Sequence, residues 1–233
     1  MKKCLVLLLL LPVAISAQSA RTPVLVELFT SEGCSSCPPA DQLLIEFLEK
    51  QPLPGIEIVA LSEHVDYWNS LGWKDPFSAA QFTKRQSNYG DLYTPEMVVD
   101  GVTGFVGSDR TRALEAITEA ARKPKVPIQV TADGLKLHIA IPKGEPADVY
   151  LAIAENNPST NVIRGENEGR KLAHVAVVRK LSSIGRVTPT ADYSHNLVVS
   201  VARDWKSHDL RAVVFVQALK TRRVLAIGSV QLN

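Results

Sequence analysis

The feature that most constrains this 233-residue chain is Cys34-Ser35-Ser36-Cys37, set between a strand-like run, Val24 to Phe29, and a helix-like run, Pro39 to Lys50. A cysteine in the loop before a helix faces unpaired backbone N–H groups and the positive end of the helix dipole, which favour thiolate over thiol. The second cysteine lies near enough to close a disulfide with the first, so the pair can cycle between dithiol and disulfide. Leu43, Leu44, Phe47 and Leu48 recur at helical spacing, with Asp41, Gln42, Glu46 and Glu49 outside the stripe. Cys34 is therefore expected to be the exposed member and Cys37 the one covered by the helix.

Residues 1–19 read as a secretory leader: Lys2 and Lys3, an apolar stretch from Leu5 to Leu11, a break at Pro12, then small residues up to Ser19. The stretch is well short of the roughly 20 residues that span a bilayer. Cys4 precedes the apolar stretch and leaves with the leader, so an exported, periplasmic or secreted, chain with two cysteines is expected. Losing Lys2 and Lys3 takes the 26 basic residues to 24, equal to the 24 acidic ones. A neutral mature chain gives no electrostatic case for nucleic acid or an anionic membrane. A four-residue disulfide loop stabilises a fold only modestly, which weakens, without removing, a purely structural reading of the pair.

Thr22 to Phe29 is apolar except at Glu27, as in a strand covered on both faces. Glu27 either meets water near the strand end or is buried with a raised pKa, where it can exchange a proton with the second cysteine. Pro38 and Pro39 suit a first helical turn, and Pro52, Pro54 and Gly55 end the helix. Ile56 to Leu61 forms a second strand, parallel to the first across a crossover of this length, so the segment after it lands near the cysteines. That segment holds His64, a proton shuttle, a metal ligand or a hydrogen-bonded structural residue, and Trp68, a packing residue or part of a substrate groove. A helical insertion near 66–90 starts at Pro76. Thr94-Pro95 leads into a strand, Asp100-Gly101 turns it, and Gly104 to Gly107 returns. A last helix, capped by Ser108 or Asp109, stops before Pro124.

This order resembles the thioredoxin fold over residues 22–123. More narrowly, Glu32 to Asp41, His64-Val65-Asp66-Tyr67-Trp68 and Gly72 to Phe77 resemble a family of secreted bacterial thioredoxin-like proteins classed as a domain of unknown function. The resemblance implies that Cys34 attacks and Cys37 resolves. It also implies that Pro95 is cis and packed against the cysteines, and that the backbone of Thr94 pairs with an extended substrate. Glu27 matches the family's buried acid, displaced by one extra residue in the intervening loop. Thr94, Trp68 and His64 are the candidate substrate-side residues.

From residue 126 to 233 about seven short alternating runs predict a β-sandwich of the immunoglobulin-like kind. The fold class expected is thus an α/β thioredoxin-like fold followed by an all-β sandwich domain. The polar stretch Asn156 to Arg170 reads as a solvated loop, or as a ligand or partner contact. His138, His174 and His195 lack short ligand spacing, so no metal site and no cofactor are expected. The leading function is an exported thiol–disulfide oxidoreductase acting on a thiol- or disulfide-containing protein or a small thiol. Its site needs Cys34 within a partner's reach and Pro95 beside the sulfurs. The rivals are a non-catalytic binding protein with a structural disulfide, and a copper or zinc protein using Cys34, Cys37 and His64.

Overall fold

A computed structural model describes residues 21–232, and the expected leader, 1–19, lies outside the described residues. Strand β1 (Thr22–Thr30) and strand β2 (Ile56–His64) pair in parallel, and helix α1 (Pro38–Lys50) makes the crossover. Their apolar runs are buried along almost their whole length, as strands covered on both faces require. Helix α2 (Ala80–Ser87) begins four residues after Pro76, not at it. The Asp75 carboxylate accepts from the amide of Phe77 and holds Pro76 in a turn. Strand β3 (Glu96–Val99) runs antiparallel to β1 and pairs with β4 (Thr103–Val106) through the Asp100–Gly101 turn, where both residues have positive φ. Helix α3 (Arg110–Ala121) is capped by Asp109, whose carboxylate accepts from the Arg112 amide at 2.9 Å.

Apart from one 3-10 turn, Ser207–Asp209, the regular elements of the second half are strands: β5 (Gln129–Asp133), β6 (Lys136–Ile141), β7 (Ala147–Glu155), β8 (Ser159–Asn161), β9 (Lys171–Ala173), β10 (Val177–Val187), β11 (Tyr193–Val198), β12 (Leu210–Ala218) and β13 (Val224–Gln231). The apolar run Leu172 to Arg179 is split between two strands. Ala176, at φ 48°, separates β9, which pairs with β8, from β10.

The expected fold class, an α/β thioredoxin-like fold followed by an all-β sandwich, is overturned. The chain is mostly β, with three short helices beside one large mixed sheet of eight strands, in the order β13-β12-β7-β10-β2-β1-β3-β4. The join is narrow: Val177 of β10 lies parallel to Ser62 of β2, and the Ser62 amide donates to Ala176 O at 2.8 Å. Its physical reason is the edge of β2. Left as an outer strand, the carboxyl end of β2 would keep the buried Ser62 amide unpaired, and the second half satisfies it.

The core follows the sheet. Val24, Leu28, Phe47 and Leu61 share one buried cluster with Ala154, Val178, Val213 and Phe215 from the other half. A second cluster lies where the small sheet β11-β6-β5 covers Val149, Leu151, Val214 and Val216 of the large one. Among the described residues no helix is long and apolar enough to cross a membrane. The cysteines sit at the carboxyl end of β1, beside that of β2 and at the mouth of α1.

Candidate functional site

Cys34 and Cys37 are joined by a disulfide. Cys37 is the N-cap of α1, and its carbonyl accepts from the amides of Ala40 and Asp41. Both cysteines are 0% exposed, which corrects the expectation of an accessible Cys34. The exposed residues of the motif are Ser35 and Ser36. The supply of N–H groups is also thinner than a helix mouth suggests. Pro38 and Pro39 have none, the Cys37 amide is spent on Cys34 O at 3.2 Å, and the Ser35 amide is spent on Glu166 Oε2 at 3.0 Å. The polar group at the sulfur is the Ser36 hydroxyl, 3.4 Å from Cys34 Sγ.

The Thr94–Pro95 peptide is cis and abuts the motif. Ser36 Oγ donates to Thr94 O at 3.5 Å, and Gly107 is wedged between Pro95 and Ala40, where an added Cβ would come within 3.2 and 3.3 Å of their Cβ atoms. Trp68 is half-buried. Its indole N–H donates to Thr94 Oγ1 at 2.8 Å, and its Cβ lies 3.0 Å from where a Cβ on Gly33 would stand. Cys34, Cys37, Thr94, Pro95 and Trp68 thus share one face.

The polar stretch 156–170 reaches this face as well. Asn167 is fully buried, and its amide donates to Glu32 O and Cys34 O, both at 2.9 Å. The loop closes on itself through Val162 N to Arg170 O and Gly169 N to Val162 O. Gly165, at φ 80°, packs against Trp73, and an added Cβ would stand 3.1 Å from Trp73 Cβ.

Beneath the disulfide loop lies a buried ionisable cluster. His64 Nδ1 bonds Asp75 Oδ2 at 2.7 Å, and the second oxygen-bound donor on Asp75 Oδ2 is the Glu32 amide at 2.8 Å. His174 Nε2 bonds Glu32 Oε1 at 3.2 Å, while the Trp73 indole donates to Glu32 Oε2 at 2.8 Å. Asp41 Oδ2 accepts from Thr30 Oγ1 at 3.2 Å, and Asp41 Oδ1 lies 3.8 Å from His174 Nδ1 with no hydrogen-bond partner. The two imidazoles meet edge to face at 4.8 Å. Burial alone would lower His174, but Asp41 and Glu32 outweigh it and push it up to about 10. Burial works against Asp75 too, yet His64 and the backbone donors hold it below the usual carboxylate range. Asp41, expected outside the apolar stripe, is buried here because Thr30 and His174 receive it. His64 is itself fully buried and turned toward Asp75.

Glu27 belongs to a different cluster. It is fully buried, its Oε1 is ion-paired with Arg85 Nε, and its Oε2 accepts from Tyr89 OH at 2.8 Å. Arg85 is wedged between the rings of Tyr89, Tyr150 and Phe215 at 5.4, 5.2 and 5.0 Å. Burial and the neighbouring Glu27 push Glu63 well above the usual carboxylate range, and neither of its oxygens has a hydrogen-bond partner. Both of Glu27's oxygens are therefore committed away from a proton exchange with Cys37.

Sequence reasoning missed Glu32, Asp41, Asp75, Glu166, Asn167 and His174. One signal was available for Asp41: it stands one helical turn after Cys37, on the same face. Among the described residues, no group of three or more His, Cys, Asp or Glu side chains is disposed to hold a metal ion.

No curated protein matches the sequence. A solved structure of protein AGR_C_4864 from Agrobacterium tumefaciens, from a structural genomics effort, is 28% identical, with a TM-score of 0.76 over 93% of this chain and 97% of that one. A domain of the outer membrane lipoprotein Omp28 from Porphyromonas gingivalis matches 47% of this chain and 89% of its own at 13% identity, with a TM-score of 0.29. The family described as "Protein of unknown function (DUF1223)" matches residues 25–217. The chain belongs to that family.

Proposed function

We propose that the protein is an exported thiol–disulfide oxidoreductase whose Cys34–Cys37 pair exchanges with a thiol or disulfide of a protein or small molecule. What carries the reading is the surroundings of the disulfide. A bond closing a four-residue loop constrains the unfolded chain little, whereas burying Glu32, Asp41, Asp75, His64 and His174 beside it costs stability that a merely structural clip does not require. Ionisable groups gathered at such cost are a mark of functional sites.

In the reducing direction, Cys34 thiolate attacks a substrate disulfide and releases one substrate sulfur as a thiolate, which takes a proton from solvent. Cys37, losing its proton, then attacks Cys34 Sγ, and the second substrate sulfur leaves with the bonding electron pair. The enzyme dithiol is oxidised and the substrate reduced; oxidation of a substrate runs the steps backwards. Ser36 Oγ lies near enough to hydrogen-bond the Cys34 thiolate once its single proton turns from Thr94 O to the sulfur, a task the proline-capped helix mouth leaves to it. Thr94 and Trp68 flank the approach, and His64 acts from below through Asp75 rather than on the substrate.

The second reading, an inert disulfide in a binding protein, is favoured by the complete burial of Cys34. A thiol-exchange assay on the mature chain separates the two. Cys34→Ser should abolish turnover, and Cys37→Ser should trap mixed disulfides with the partner. Equal and undiminished activity in both variants would refute the enzyme.

A further inference from the structure

The backbone of the cysteine motif is gripped by a loop from the second half of the chain. The loop spans residues 162–170 and enters from the second half, yet two hydrogen bonds join it to the cysteine motif, from Asn167 to Cys34 O and from the Ser35 amide to Glu166, and a third runs from Asn167 to Glu32 O just before the motif. These are main-chain groups in the turns that carry the cysteines, two acceptors and one donor, to which a visiting polypeptide can offer its own N–H and C=O. The loop thus supplies a donor and an acceptor in place of a visiting backbone.

The two ends of the contact differ. Asn167 is fully buried, while Glu166 is exposed and its carboxylate is held below the ordinary range by the hydrogen bonds from Ser35. The loop's own ties are internal, Glu168 N to Gly165 O and Arg170 N to Asn167 O, and Arg170 also holds Asn167 Oδ1 at 3.1 Å. It is a locally closed unit, packed on Trp73 through Gly165.

We infer that the loop 162–170 is an autoinhibitory strap, with Asn167 as its catch, occupying the face on which an extended polypeptide around a substrate cysteine docks. The inference rests on the oxidoreductase reading for its biological meaning, but its test does not. In the strapped state Cys34 is out of reach; displacement of Asn167 and Glu166 bares the carbonyl of Cys34 and the amide of Ser35 to the incoming chain. A small thiol that offers no backbone does not displace the strap and reacts only when it opens unaided.

The test is the rate at which dithiothreitol reduces the Cys34–Cys37 bond in the folded mature chain, read by quenching and counting thiols. Its two thiols become a cyclic disulfide, and two protein thiols form. Asn167→Asp keeps the side chain's shape but sets an acceptor against two carbonyls, and should speed reduction at least tenfold. Glu166→Ala, at an exposed position that does not threaten folding, should speed it two- to fivefold. The strap is overturned if Glu166→Ala, together with Asn167→Asp where that variant folds, is reduced at the wild-type rate. Wild-type protein that turns over no disulfide substrate, while both variants are reduced faster, sinks the oxidoreductase and leaves the strap. Turnover that persists with no effect of either variant sinks the strap alone.

Discussion

Two buried ionic clusters, built from similar residue types, have opposite characters. The one under the cysteine loop is organised round two histidines, His64 and His174, with Glu32, Asp41 and Asp75. The other is organised round one arginine, Arg85, with Glu27 and Glu63. An arginine does not titrate in a protein, so Glu27 from β1 and Gln217 from β12 meet across the two halves through a fixed cation, with Glu63, pushed up by burial and Glu27, as the titratable group beside it. The cation on the cysteine side is an imidazolium instead: Asp41 and Glu32 push His174 up to about 10, so its charge is lost only as pH rises toward that value. The cation that joins the two halves is permanent, whereas the one beneath the cysteines is lost in alkali.

The sharpest way to break this comparison is Arg85→Met. It strands Glu27 beside a second buried carboxyl, and the expected loss of stability is about 3–5 kcal/mol. Denaturant unfolding of the oxidised protein measures it. The reduction rate of the disulfide in the folded variant should stay at the wild-type value, and a large change there would merge the two clusters into one functional unit.

A smaller, pH-dependent effect belongs to His174. Its proton affinity is higher folded than unfolded, up to about 10 from an ordinary 6.5. Stability from this group is therefore complete below about pH 6.5 and drains away as pH rises toward about 10, at a limiting slope of about 1.4 kcal/mol per pH unit. Unfolding between pH 6 and 10 should show that decline in the wild type and lose it in His174→Gln. The same slope in both would remove His174 as the proton-holding group.

The smallest expected effect sharpens the sulfur end. If Ser36 is the donor that replaces the missing helix N–H groups, Ser36→Ala should raise the Cys34 thiol pKa by about half a unit to one unit. Alkylation rate against pH in the reduced chain reads this, and an unchanged midpoint would return the thiolate to the helix mouth alone.

Legibility in the sequence follows the range of the interactions. The cysteine motif between a strand and a helix, the parallel second strand, the Thr94–Pro95 entry to a hairpin and the cap before α3 are local patterns and stand where the residues put them. The joining of β10 to β2 is not local. Ser62 and Val177 lie 115 positions apart, and nothing in an apolar run names the strand that will cover its edge. That is why two separate domains were expected where one sheet forms. Asn167 was hidden for a related reason: polar composition around it reads as water-facing loop, although its partners are backbone carbonyls that composition does not show. Arg85 was more legible than it looked, because Phe82 and Tyr89 stand three before and four after it, placing a cation on the buried face of α2.

The most direct test of the central claim is equilibration of the folded protein in glutathione redox buffers, with the oxidised and reduced forms separated after acid quench. An exchangeable pair predicts a potential within the range of working oxidoreductases, above about −300 mV. A pair still fully oxidised below about −300 mV would contradict the account and make the disulfide a structural clip.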